Sequence, residues 1–133
     1  MTASLKEAGF SPNDITDILI THIHVDHSGG LSAHNTIQFP NATVHVNKKE
    51  VDFWLSRSEP KKDEDKGVTA NRPAFLALKP YLDAGKVKTF EGNVSLFPEV
   101  KTIEFTGHTA GHTIFVLESK DQKLVFWGDL IHI

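Results

Sequence analysis

The chain contains no cysteine, one methionine and one tyrosine in 133 residues. The lack of cysteine excludes disulfide bridges and thiolate metal sites, so any bound metal must take nitrogen and oxygen ligands. It leaves the redox compartment open. No apolar run approaches the roughly eighteen residues of a membrane span. Basic charge is also scarce: 14 Lys and Arg stand against 17 Asp and Glu, for a formal net charge of −3. The basic pairs Lys48-Lys49 and Lys61-Lys62 sit beside the acids Glu50, Asp63, Glu64 and Asp65. That is the pattern of solvated faces rather than of a phosphate track. Neither nucleic acid nor a membrane is expected as a partner. The opening residues MTASLKEAGF lack the basic-then-apolar order of a secretory signal, so the expected location is cytoplasmic.

A hydrophobic fraction of 39% and a charged fraction of 23% are those of a soluble globular chain. The length suits one domain, residues 1–133, able to bury about two thirds of its unfolded surface. Residues 2–8 read as a short helix stopped by Gly9, and residues 17–21 as a buried strand. Residues 43–47 alternate like a strand. Residues 48–57 follow as a helix with Val51, Trp54 and Leu55 inward. The polar stretch 58–70 reads as a loop, and 72–83 as a second helix with Pro73 near its first turn. From residue 86 the pattern changes to short strands at 87–90, 93–96, 101–105, 112–118 and 123–127. Ser119-Lys120-Asp121-Gln122 forms a hairpin turn between the last two. A strand, then helices, then a run of strands predicts a mixed α/β layered domain.

The densest chemical signal is THIHVDHSGG, which packs His22, His24, Asp26 and His27 into six residues. Neutral imidazole and carboxylate are the donors that suit zinc and its first-row neighbours. Spacings of two, four and five cannot all face one way on a single strand or helix. They converge if a strand ends at His22 and the chain then turns over a metal, with Gly29-Gly30 easing the close approach. Two later segments supply further donors. FTGHTAGH places His108 and His112 in a glycine-bearing loop, and FWGD ends an apolar strand at Asp129. His34 and His45 lie outside these motifs and read as surface or half-buried residues.

THIHVDH, FTGHTAGH and WGD resemble the ordered metal motifs of the metallo-β-lactamase-fold hydrolase superfamily. FPNATVHVNKKEVDFWLS, LKPYLDAGKVKTFEGN and LESKDQKLVFWGDLIHI resemble the branch containing methyl parathion hydrolase and lactonase-like enzymes. The likeness implies an αββα sandwich holding two divalent metal ions, with zinc first and iron, manganese or cobalt as alternatives. Carried over by position, it makes His22, His24 and His108 ligands of one metal and Asp26 and His27 ligands of the other, with Asp129 bridging both. Asp26 would also orient the attacking water. His112 would support its loop by hydrogen bonding, and Trp54 would line an aromatic leaving-group pocket. The histidine at position 24 favours hydrolysis over redox chemistry, because di-iron relatives carry glutamate there. The implied activity is hydrolysis of small neutral phosphotriesters, esters or lactones by a metal-activated water.

The sequence departs from that pattern in three ways. Val25 stands where a small residue or proline is common. The family's opening strands and the histidine that usually follows the Gly-Asp corner have no counterpart, so the expectation is a truncated middle portion of the fold. His132 is a candidate for the vacant ligand position. A truncated sheet exposes edges and apolar faces, which leads to an expected homodimer or larger assembly. The rival to an enzyme is a weakly active or non-catalytic metal-binding fragment that self-associates.

Overall fold

The computed structural model describes residues 2–56 and 66–131. In chain order the elements are α1 (Thr2–Glu7), a 3-10 turn at Pro12–Asp14, β1 (Asp17–Ile20), α2 (Val25–Ser28), β2 (Ser32–Ala33), β3 (Thr36–Ile37) and β4 (Thr43–Asn47). There follow α3 (Lys48–Ser56), α4 (Lys66–Asp83), β5 (Val87–Phe90), β6 (Ser95–Phe97), β7 (Val100–Glu104), β8 (Thr113–Ser119) and β9 (Gln122–Phe126). Parallel and antiparallel sheets coexist, as the mixed α/β reading requires.

The first sheet is parallel, in the order β1-β4-β5, with Ile18 opposite Val44 and Val46 opposite Thr89. Its central strand is buried from Val44 to Asn47, as expected of a parallel strand covered on both faces. The helices α3 and α4 make the crossover from β4 to β5 and cover one face of the sheet. The main core joins Ile20, Val44 and Val46 of this sheet to Val51 and Trp54 of α3 and to Phe75, Leu78 and Tyr81 of α4. Tyr81 also reaches the opposite connection, where its hydroxyl accepts a hydrogen bond from the Phe39 backbone N–H at 3.0 Å.

The second sheet is antiparallel, in the order β6-β7-β8-β9. Residues Thr113 to Phe115 of β8 are buried, whereas every residue of the edge strand β9 is exposed. Hydrogen bonds join the sheets near the strand ends that matter for the site. The Thr113 N–H donates to the Thr21 carbonyl at 2.9 Å, and Asn47 Nδ2 donates to Glu104 Oε2 at 2.8 Å.

Most strand ends lie within one or two residues of the sequence reading, which is the usual uncertainty of element boundaries. The turn at Lys120 and Asp121 has φ of 49° and 60°, a two-residue primed hairpin of the favoured kind. Other points need correction. Residues 66–70 belong to α4 rather than to a loop, so Pro73 lies inside the helix and not in its first turn. The helix continues through Pro73 and Pro80 because Ala74, Phe75, Ala77, Leu78 and Tyr81 are all buried, offsetting the lost backbone bonds. Residues 58–65 of the same stretch, and residue 57 at the end of the preceding helix reading, lie outside the described residues. Leu55, expected to face inward, is 48% exposed. The small hairpin β2–β3 was not anticipated. It turns at His34 and Asn35, with φ of 50° and 60°, on only two residues per strand. No helix among the described residues is long and apolar enough to cross a membrane.

Candidate metal centre

The site lies where β1 ends. His22 and His24 lie two residues apart just past the strand, and His24 is the extended N-terminal boundary residue of α2, with φ −117° and ψ 160°. The single helical turn of α2 then carries Asp26 and His27 round to the same region. Its position is fixed by Ser28, whose hydroxyl donates to the His24 carbonyl at 3.0 Å and to the Ala74 carbonyl of α4 at 3.3 Å. The change from strand to helix is what lets four donors at awkward spacing converge.

His108 arrives from the β7–β8 loop, more than eighty residues later. Its Nε2 lies 3.2 Å from His22 Nε2 and 3.1 Å from His24 Nδ1. Asp129, in the corner after β9, brings Oδ2 to 3.3 Å from His108 Nε2 and 3.8 Å from His22 Nε2. Its other oxygen, Oδ1, lies 2.9 Å from His27 Nε2. Asp26 Oδ2 stands 3.5 Å from the same His27 nitrogen, and the Asp26 side chain is 71% exposed. Two donor groups result: His22, His24, His108 and Asp129, and beside them Asp26, His27 and Asp129. The six motif residues of the sequence reading are thus brought together.

The donors fit metal ions on geometric grounds. Ligands about 2.0–2.1 Å from a tetrahedral centre stand about 3.3 Å from one another, close to the 3.1–3.8 Å separations found here. Three imidazole nitrogens facing a common point cannot satisfy one another by hydrogen bonding alone. Burial, followed by the neighbouring imidazoles of His27, His24 and His108, pushes His22 down to about 3, so it stays neutral with its lone pair available. Burial and then His108 lower His24 as well. The opposite nitrogen of His22, Nδ1, lies 3.1 Å from the Thr21 hydroxyl, which leaves Nε2 to face the cluster.

His112 is fully buried and lies behind the cluster. Its Nε2 accepts a hydrogen bond from the Asp129 backbone N–H at 3.1 Å. Trp54 is only 4% exposed; its ring meets His24 edge-on at 6.3 Å, so it backs that imidazole from the core. His132 lies outside the described residues. His45, outside the cluster, pairs with Asp17 at 2.8 Å.

Sequence reading missed Glu50. Beside Lys48 and Lys49 it reads as one acid of a solvated face, yet it is completely buried and accepts hydrogen bonds from the Ile23 and Gly111 backbones. The signal was its place in the helix, one residue before Val51 and four before Trp54, on the inward face.

Comparison with known proteins agrees with this geometry. A model of the metallo-beta-lactamase superfamily matches residues 1–133. An N-acyl homoserine lactonase of Bacillus thuringiensis is 28% identical over 121 residues, covering 91% of this chain and 40% of that protein. The human acyl-coenzyme A thioesterase MBLAC2 is 28% identical over 118 residues, covering 84% and 40%. Among solved structures, the hydrolase AbOPH of the beta lactamase superfamily superposes with a TM-score of 0.85 at 33% identity, over 98% of this chain and 46% of that one. The dizinc quorum-quenching lactonase AidC, solved with a product bound, gives 0.78 at 33% identity, over 98% and 47%. The chain therefore spans less than half the length of these relatives. The motif order, the convergent donors and the full-length family match lead to one conclusion: the chain belongs to the metallo-beta-lactamase superfamily.

Proposed function

We propose that the chain carries the dinuclear metal site of a hydrolase acting on small esters and lactones, with phosphotriesters as a further substrate class. One observation carries this reading: the two oxygens of Asp129 are divided between the two donor groups, at 2.9 Å from His27 and 3.3 Å from His108. A carboxylate so placed is suited to bridging two cations. His22, His24 and His108 would hold one divalent cation, Asp26 and His27 the other, and Asp129 both. Zinc suits the all-nitrogen-and-oxygen set, which also accepts iron, manganese and cobalt. Bound there, the pair supplies a water acidified toward neutral pH and an electrophile for the scissile carbonyl or phosphoryl oxygen.

The remaining roles belong to the chain's own side chains. Asp129 sets the spacing of the two donor groups. Asp26, largely exposed beside His27, offers an acceptor that orients the attacking water and takes up its proton. His112 holds the Asp129 backbone, and Trp54 holds the His24 ring. Lactones and thioesters come first among substrates because the similar proteins include lactonases and a thioesterase. The test is turnover of an N-acyl lactone, an acyl thioester and a neutral phosphotriester by the metal-loaded protein. Hydrolysis of at least one, lost on chelation, supports the reading, and no turnover of any by fully loaded protein contradicts it.

A second reading rests on the exposed strand β9. Leu124, Val125, Phe126 and Trp127 are 45–55% exposed along that edge, so the chain could persist as a self-associating metal-binding unit without turnover. Metal uptake without hydrolysis, together with a dimeric or larger mass, would favour it.

A further inference from the structure

Glu50 is the third residue of α3 and has no exposed surface. Burying a carboxylate is costly unless its oxygens are well satisfied. The neighbouring lysines are engaged elsewhere: Lys48 pairs with Asp52, and Lys49 with Glu104 at 2.5 Å. Glu50 is met by backbone donors from two distant segments. Oε2 accepts from the Ile23 N–H at 2.9 Å, across 27 residues of sequence. Oε1 accepts from the Gly111 N–H at 2.6 Å, across 61 residues.

Both donors occupy telling positions. Ile23 lies between His22 and His24, so holding its N–H fixes the peptide that links His22 to Ile23 and anchors the short segment from which both imidazoles project. Gly111 lies between His108 and His112 and immediately precedes the residue that holds Asp129. Space at this contact is limited. A Cβ at Gly111 would stand 2.9 Å from the Asn47 side chain and 3.0 Å from the Glu50 backbone nitrogen. Only glycine lets this loop close onto the β4–α3 corner.

We infer that Glu50 is a positioning residue that joins the His22–His24 segment to the His108 loop, with one carboxylate oxygen on each, and so sets the geometry of the first metal site. The inference rests on the metal-site reading above. A carboxylate suits the task because it presents two acceptors in one plane, whereas a carboxamide presents one acceptor and a donor group that opposes the second N–H.

The test compares wild-type protein with Glu50→Gln, using Asp52→Asn on the same helix as control. Metal affinity is read by chelator competition, site geometry by the visible absorption of the cobalt(II)-loaded protein, and fold stability by melting of the metal-free protein. Glu50→Gln is expected to weaken metal binding by about 10–100-fold and to shift the cobalt band, while Asp52→Asn changes neither. Unchanged affinity and an unchanged cobalt band in Glu50→Gln overturn the inference, even if its melting temperature falls. If Glu50→Gln does not fold, amide exchange in wild-type protein decides the matter. The Ile23 and Gly111 amides should both be protected and should slow together on metal addition; exchange of either at the rate of an open loop overturns the inference. Wild-type protein that takes up no metal overturns both this inference and the metal-site reading, whereas metal-binding wild type with an unperturbed Glu50→Gln overturns the inference alone.

Discussion

His112 Nε2 accepts the backbone N–H of Asp129 at 3.1 Å, which ties the start of β8 to the corner after β9. The acceptor nitrogen faces a backbone donor, so the ring positions the carboxylate through the main chain rather than through the donor cluster itself. His112→Phe keeps the ring volume and removes the acceptor. It should destabilise the metal-free protein by about 0.5–1.5 kcal/mol, the range for loss of one hydrogen bond, and weaken metal binding by about 10–100-fold. Denaturant unfolding and chelator competition measure the two effects. Wild-type values in both would show that the contact does not hold the corner.

Gly128 stands against the same nitrogen. Its φ is +55°, and a Cβ there would lie 2.7 Å from His112 Nε2 and 3.0 Å from Thr21. Gly128→Ala therefore combines left-handed backbone strain with a steric clash. Gly85, at φ +66° with nothing within 4 Å of its absent Cβ, provides the comparison with strain alone. Thermal unfolding should show Gly128→Ala as the more destabilised of the two, with strain alone of about 1–3 kcal/mol. Equal losses would mean that the corner has room to relax.

Away from the site, His45 holds the Asp17 carboxyl below its ordinary range, mainly through the 2.8 Å hydrogen bond between them. A carboxylate depressed in the folded state stabilises the fold above its unfolded value of 3.8, and this stabilisation is lost as pH falls through the lower folded value. Asp17→Asn should consequently flatten the acid limb of stability below about pH 4 while changing the slope little near neutrality. Unfolding of metal-free protein across that range checks it, and an unchanged acid slope would assign no role to the pair.

The edge strand β9 should drive self-association. Val125 and Phe126 point to opposite faces of the sheet, yet they are 45% and 50% exposed. A charge introduced by Val125→Lys on such an edge opposes pairing with another strand. Light scattering over a range of concentrations should show a dimer or larger species whose population falls in Val125→Lys. A monodisperse monomer at every concentration would remove this expectation.

The donor cluster was legible because metal chemistry is written in residue type and short spacing: His22, His24, Asp26 and His27 are close in sequence, and GHTAGH and WGD are compact. The strands were legible for the same local reason, down to the Lys120-Asp121 turn. What escaped depended on distant partners. Glu50 looks like one more acid beside two lysines until the backbones of Ile23 and Gly111 are placed against it. Leu55 has the hydrophobicity of an inward residue but falls on the far side of α3. Residues 66–70 carry the composition of a loop, and α4 persists there because the helix is held downstream by Phe75, Leu78 and Tyr81. The β2–β3 hairpin is too short to leave a periodic signal.

Metal content per chain, measured by elemental analysis on wild-type protein and on Asp129→Ala with turnover followed in parallel, bears most directly on the dinuclear reading. Wild type is expected to hold two divalent ions, as dinuclear hydrolytic sites do. Asp129→Ala is expected to hold one or none and to lose activity by several orders of magnitude. Metal-free wild type, or an Asp129→Ala variant with wild-type metal content and turnover, would contradict a site built on the divided carboxylate of Asp129.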